Sequence, residues 1–127
     1  MANWTPDGFV GKSFRVTAQI VPPPPGIPAP VLWGNEETVR QRLSTGIASL
    51  SLTRQKVPMR FPFGPKEVVA LFWQYFGPTK VAFSRLDEAG QTDFAERLES
   101  LWAENNMASD DTTSVEVEYL DVRAVRA

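Results

Sequence analysis

The sequence TSVEVEYLDVRAVR, residues 113–126, predicts a β-strand. In its first half, VEVEY at 115–119, apolar and acidic residues alternate with the period of a half-buried strand. In its second half the apolar residues Leu120, Val122 and Ala124 occupy the opposite phase. This slip indicates either a bulge near Leu120 or a strand that is buried on both faces at its end.

A second extended segment is predicted upstream, over residues 47–61. Leu50 and Leu52 alternate there with small hydroxyl residues, as in a strand with one buried face. Because Pro58 lacks a backbone N–H, it predicts an edge strand or the end of regular pairing.

Helical patterns precede and separate the two extended segments. Thr5 predicts the cap of a helix over residues 7–21. Asn35 predicts the cap of a second helix that ends at Gly46. The other predicted helices cover residues 66–76, a short stretch after Pro78, and residues 91–107. Helices between a few strands predict an α+β protein or the tail of an α/β fold.

Eight apolar residues are expected to form the core, because they recur at the spacing of a helix face or of alternate strand positions. They are Trp33, Phe72, Phe76, Phe94, Leu98, Trp102, Val117 and Tyr119. The sequence contains neither an internal repeat nor a linker long enough to separate two cores. A single domain over residues 1–127 is therefore predicted.

Six prolines lie between Pro22 and Pro30. They predict a stiff extended connector with polyproline character. The segment also contains a P-x-x-P spacing, which leaves open a role as a recognition peptide.

The composition excludes several kinds of chemistry. The 127 residues include no Cys and no His, which excludes disulfides, thiolate zinc sites, cysteine nucleophiles and histidine bases. The net charge is −2 and the basic residues are scattered, so neither nucleic acid nor a membrane is expected as a partner. No apolar run approaches the length of a membrane span, and no leader sequence is recognisable. A cytoplasmic location is the resulting expectation.

Motifs that bind phosphates or metals are absent from the sequence, and so is a catalytic triad. Three pairs of adjacent acids occur, Glu36-Glu37, Asp87-Glu88 and Asp110-Asp111. Each pair lies at a predicted helix end or turn, where acidic residues have a structural reason to be. The sequence therefore predicts no metal site and does not identify a catalytic residue.

Several short runs follow one another along the chain in a recognisable order. They are NWTPDGFVG at 3–11, PPPPG at 22–26, LWG at 32–34, FPF at 61–63, YFGP at 75–78, LW at 101–102, TT at 112–113 and VEYL at 117–120. In this order they resemble the C-terminal part of class I S-adenosylmethionine-dependent methyltransferases of the ubiquinone/menaquinone-biosynthesis-like type.

The resemblance implies a position within a seven-stranded Rossmann-like sheet. The chain would begin at the end of the fifth strand, residues 47–57 would be the sixth strand, and residues 113–126 the seventh. The seventh strand lies between the fifth and sixth in that family. The implied fold class is α+β, with a small antiparallel sheet of two or three strands packed with about four to five helices.

The resemblance also implies what the chain lacks and what it contributes. The Gly-rich cofactor loop and the ribose-binding acid have no counterpart here, so no residue is expected to bind S-adenosylmethionine. The residues that would line the substrate side are Trp4, Thr5, Gly8, Trp33, Phe72, Tyr75 and Phe76. The implied function is the substrate-side wall of a methyltransferase, inactive alone.

Other interpretations remain open at this point. The chain could be a stand-alone module, derived from a methyltransferase, that binds a small apolar ligand or dimerises. A small isomerase or cyclase is disfavoured, because the sequence has no His and no isolated acid in an apolar run. Expected partners are a second copy of the chain or a missing N-terminal half. One reason is the inner edge of the strand at 113–126, which is expected to have at most a stub, residues 1–4, beside it. The other is that Phe9, Phe14 and Ile20 on the first helix are expected to be partly bare.

Overall fold

The computed structural model describes residues 1–127 and contains three strands and five α-helices. The strands are β1 (Ala2–Trp4), β2 (Ile47–Phe61) and β3 (Thr113–Arg126). The α-helices are α1 (Phe9–Ile20), α2 (Glu36–Arg42), α3 (Pro65–Tyr75), α4 (Gly77–Ser84) and α5 (Glu88–Asn105). A 3-10 helix, Pro30–Gly34, lies between α1 and α2. The predicted α+β class, with a three-stranded antiparallel sheet, is confirmed.

The sheet has the strand order β1-β3-β2, with β3 in the middle. β1 pairs antiparallel with β3, and its central pair is Asn3 with Leu120. The same register continues beyond both ends of β1. The amide of Thr5 donates to the carbonyl of Glu118 at 3.1 Å, and Met1 and Val122 exchange two hydrogen bonds. β1 is therefore joined to β3 without interruption from residue 118 to residue 122.

This continuous register accounts for the slip in the hydrophobic pattern of β3. Side chains alternate along a regular strand, so Glu118, Leu120 and Val122 share one face. Leu120 and Val122 are buried in a cluster with Val39 of α2. Val117, also buried, belongs to the opposite phase. The pattern favours a strand that is buried on both faces over a bulge near Leu120.

The chain forms two compact units. The first contains Met1–Lys12, Pro25–Val57 and Val117–Ala127, and the second contains Ser13–Pro24 and Pro58–Glu116. The core of the first unit is the cluster of Val39, Leu120 and Val122, which partly buried leucines surround.

Aromatic rings dominate the core of the second unit. Phe83 and Phe94 are fully buried, with ring centroids 4.7 Å apart. Trp102 of α5 is 3% exposed, and its ring lies 5.6 Å from that of Phe61 and 5.4 Å from that of Phe72. The apolar faces of α3, α4 and α5 therefore meet in one aromatic core.

Side-chain caps set two helix starts. The Asn35 side chain accepts a hydrogen bond from the amide of Thr38 at 2.9 Å, which confirms the predicted cap of α2. Asp87 accepts one from the amide of Gly90 at 2.8 Å, so α5 begins at Glu88 rather than at residue 91. The apolar pattern of α5 begins several residues after its capped start, so a prediction from that pattern alone places the start of the helix too late.

Other predicted boundaries were wrong. α1 begins at Phe9 instead of residue 7, and α2 ends at Arg42 well before Gly46. Gly46 has a positive φ of 71° and stands immediately before β2. By contrast, β2 has the predicted bounds, 47–61, and continues through Pro58 as an edge strand permits.

The structure confirms half of the predicted core. Phe94, Leu98, Trp102 and Val117 are buried. Trp33 and Phe76 are exposed to 37% and 40%, so their predicted burial was wrong. Phe72 and Tyr119 are only half-buried. Trp33 lies near the end of the 3-10 helix, and Phe76 lies just beyond the end of α3.

The first helix is also less bare than expected. Phe9 is buried, at 5% exposure, which corrects the expectation that it lies partly open. Phe14 and Ile20 are half-buried.

No helix of the chain has both the length and the apolar character that a membrane crossing requires.

We expect the Trp102→Ala substitution to lower the free energy of unfolding by about 3–5 kcal/mol, because it empties a buried site between aromatic rings. Urea denaturation followed by circular dichroism measures the change. Tyr75→Ala is the matched control, because Tyr75 is 72% exposed and its loss leaves no cavity. Equal stabilities for the two variants would contradict the role of Trp102 in the core.

Candidate functional site

The turn between β1 and α1 is held by a buried hydroxyl. Thr5 is 1% exposed, and its Oγ1 donates a hydrogen bond to Oε1 of Glu118 at 2.8 Å. The predicted role of Thr5 as a helix cap was therefore wrong. Its side chain joins the turn to β3 instead, next to the backbone hydrogen bond between the same two residues.

A chain of charges continues from this hydrogen bond. Nη1 of Arg54 lies 3.5 Å from Oε1 of Glu118, and its Nε lies 3.0 Å from Oε1 of Glu36. The hydrogen bond to Glu36 and the charge of Glu118 raise the pKa of Arg54 above its ordinary value. Because the Arg54 side chain is 50% exposed, solvent screens much of this attraction. The network orients side chains more than it stabilises the fold.

Two glycines allow backbone segments to approach closely at this turn. A Cβ on Gly8 would lie 2.9 Å from Oγ1 of Thr5 and 3.2 Å from Cβ of Glu118. A Cβ on Gly34 would lie only 1.9 Å from the carbonyl oxygen of Trp4. The 3-10 helix therefore packs directly against β1, which brings the Trp33 segment beside the predicted site residues Trp4, Thr5 and Gly8.

Two indoles of this unit stay partly open to solvent. Trp4 is 38% exposed, and its ring meets that of Tyr119 edge-on at a centroid distance of 6.4 Å. Trp33 is 37% exposed, and the guanidinium carbon of Arg42 lies 4.3 Å from its ring centroid. One neighbour holds each ring, and part of each ring remains available for contact.

One buried polar atom lacks a partner. The Nδ2 atom of Asn3 is buried and forms no hydrogen bond. Asn3 pairs across the ladder with Leu120, so its side chain is on the face that α2 covers. The nearest carboxylate on that face of β3, Glu118, is already engaged by Thr5 and Arg54. The arrangement contains no free base beside a nucleophile.

The other predicted substrate-side residues belong to α3 and its C-terminal end. Phe72 is half-buried, with its ring 6.1 Å from that of Phe61 and 5.3 Å from that of Phe76. Tyr75 is largely exposed, at 72%. Phe72 thus serves mainly as a core residue, whereas Tyr75 and the open part of Phe76 lie on the surface.

Sequence analysis did not identify the polar members of the first unit, Glu118, Arg54 and Glu36. Glu118 could have been recognised from the sequence as a candidate, because it is an acid in the same strand phase as the buried Leu120 and Val122.

No group of three or more acidic residues lies close enough to hold a metal ion. No family model, curated protein or solved structure matches the chain.

We expect Gly34→Ala to lower the free energy of unfolding by at least about 2 kcal/mol, because its methyl group would overlap the carbonyl of Trp4. Gly77→Ala is the matched control, since a Cβ on Gly77 meets open space at the start of α4. Thermal unfolding of both variants measures the difference. A Gly34→Ala protein as stable as the control would show that the 3-10 helix does not pack on β1.

Proposed function

We propose that this chain is the C-terminal region of an S-adenosylmethionine-dependent methyltransferase, in which it forms the substrate-side wall. The strand order carries the proposal. A short N-terminal strand pairs antiparallel with the last strand, and the middle strand of the sequence takes the edge. The resemblance implies this order for the fifth, seventh and sixth strands.

The surface at the β1–α1 turn also supports the proposal. In the proposed enzyme, Trp4 and Gly8 lie at the rim of the substrate cleft and Trp33 lies in its wall. Partly exposed indoles next to a tight turn suit a flat or apolar methyl acceptor. Methyl transfer depends mainly on how the two reactants are positioned, so a wall of this kind contributes orientation without an acid or base of its own. A cytoplasmic location belongs to the same proposal.

We expect no measurable binding of S-adenosylmethionine to the 127-residue protein, since it contains neither a Gly-rich loop nor a ribose-binding acid. Isothermal titration calorimetry measures this directly. A dissociation constant in the micromolar range would contradict the assignment of this chain to the substrate side alone.

The DNA upstream of Met1 tests the family assignment itself. A reading frame that encodes a strand followed by a Gly-rich loop would support it. Co-expression of that segment with this chain is then expected to restore S-adenosylmethionine binding. A complementary segment that binds the cofactor equally well without this chain would argue against a shared enzyme.

A second candidate function is a stand-alone module that dimerises or binds a small apolar molecule. The two sheet edges differ in a way that bears on this candidate. The β2 edge carries Lys56, Pro58 and Arg60, all exposed, which oppose pairing with another strand. β1 has only three residues and no charged side chain at its open edge. Pairing between two copies would therefore use β1.

For this second candidate we expect a twofold-symmetric homodimer. Light scattering at micromolar concentration should then give twice the chain mass of 14.2 kDa. Ala2→Pro, which alters the open edge of β1, should return the protein to a monomer. Arg60→Pro on β2, in the same strand phase as Pro58 and therefore on the open side of that edge, should not affect assembly. A well-behaved wild-type monomer would rule out the dimerisation module and leave the methyltransferase proposal intact.

A further inference from the structure

A cavity of about 350 Å³ lies between α3 and α4 in the second unit. Ala70, Trp73 and Gln74 line it from α3, and Lys80 lines it from α4. The three α3 residues are spaced three and four apart, so they share one helix face. The cavity is wide open to solvent on one side, so a bound molecule would lie along this helix face.

The Trp73 ring is fixed in place. It stacks on Phe83 with a centroid distance of 3.9 Å and an interplanar angle of 7°. Phe83 is fully buried in the aromatic core, whereas Trp73 is 38% exposed. The cavity therefore has a rigid, flat, apolar wall whose ordering cost was already met when the protein folded.

The charge at the cavity is positive. Lys80 is exposed and forms no ion pair, and no acidic residue lines the cavity. Lys80 is thus the charged residue of the cavity lining, although the whole chain has a net charge of −2. Gln74 adds an amide that can donate or accept a hydrogen bond. This local charge favours an anion over a cation of the same shape.

We propose that this cavity binds a flat aromatic molecule that carries a negatively charged group. Its ring lies against Trp73, its anionic group approaches the ammonium of Lys80, and the amide of Gln74 donates a hydrogen bond to it. The site goes beyond the proposed function, because it needs neither S-adenosylmethionine nor an additional protein segment. Its success or failure is thus independent of the methyltransferase assignment.

Isothermal titration calorimetry with the 127-residue protein tests the site. The probes are naphthalene-2-sulfonate and, as its cationic counterpart, 2-naphthylmethylammonium. We expect one saturable site for the anion, with at least about five-fold weaker binding of the cation, because one charge-assisted contact changes affinity by about that factor. Raising the salt concentration should reduce the difference between the affinities for the anion and the cation, because salt screens the charge of Lys80.

Substitutions locate the binding. Lys80→Gln is expected to weaken binding of the anionic probe about five-fold. Binding of the cationic probe should be unchanged or slightly tighter. Lys66→Gln is the matched control. Lys66, on α3, is exposed like Lys80 but does not line the cavity. Trp73→Leu should weaken both probes, provided circular dichroism shows that the variant is folded.

The Lys80 variant decides the question even if Trp73→Leu fails to fold. Absence of binding to the wild-type protein would overturn the proposal. Equal affinities for the anion and the cation would do so too, as would equal effects of Lys80→Gln and Lys66→Gln.

Discussion

The antiparallel pairing of β1 with β3 determines which side chains meet in the first unit. The register runs without a break from Glu118 to Val122. It puts Leu120 and Val122 on the face covered by α2, where both pack against Val39. A shift of one residue would turn both apolar side chains away from this cluster and bring Tyr119 and Asp121 into it. The short strand at the N-terminus thus fixes the register on which this small core depends.

Apolar burial and close packing outweigh the charges in this unit. Burying a side chain such as Leu120 stabilises a fold by roughly 1.5–3 kcal/mol. The ion pairs of Arg54 lie in solvent at 50% exposure of that side chain, where screening leaves little net attraction. Gly34 and Gly8 matter more, because each permits an approach that a single methyl group would block or crowd. The hydrogen bond from Thr5 to Glu118 then satisfies a hydroxyl that this close packing has buried.

Local sequence signals predicted the elements that depend on local physics. The alternation over residues 113–126 and the cap at Asn35 are both encoded within a few residues, and the structure has both. The burial of Trp33 and Phe76 could not be judged in this way, because exposure depends on which distant element covers a ring. Trp33 is met by Arg42 rather than by a second apolar layer. Glu118 and Thr5 are 113 residues apart, so no short-range pattern could have paired them.

The partly exposed tryptophans differ in the neighbours that their rings contact. Trp73 rests on a fully buried ring, and its orientation is therefore as rigid as the core beneath it. Trp4 meets the edge of half-buried Tyr119, and an exposed arginine, Arg42, lies over the ring of Trp33. Exposed rings with weak support can adjust to a partner at low cost, whereas a fixed ring selects for shape. In the proposed methyltransferase, the Trp4 and Trp33 surface would suit a wall that another chain segment completes, or acceptors of varied apolar shape. The Trp73 cavity suits one small planar ligand, and its charge comes from Lys80, which no acid of the protein neutralises.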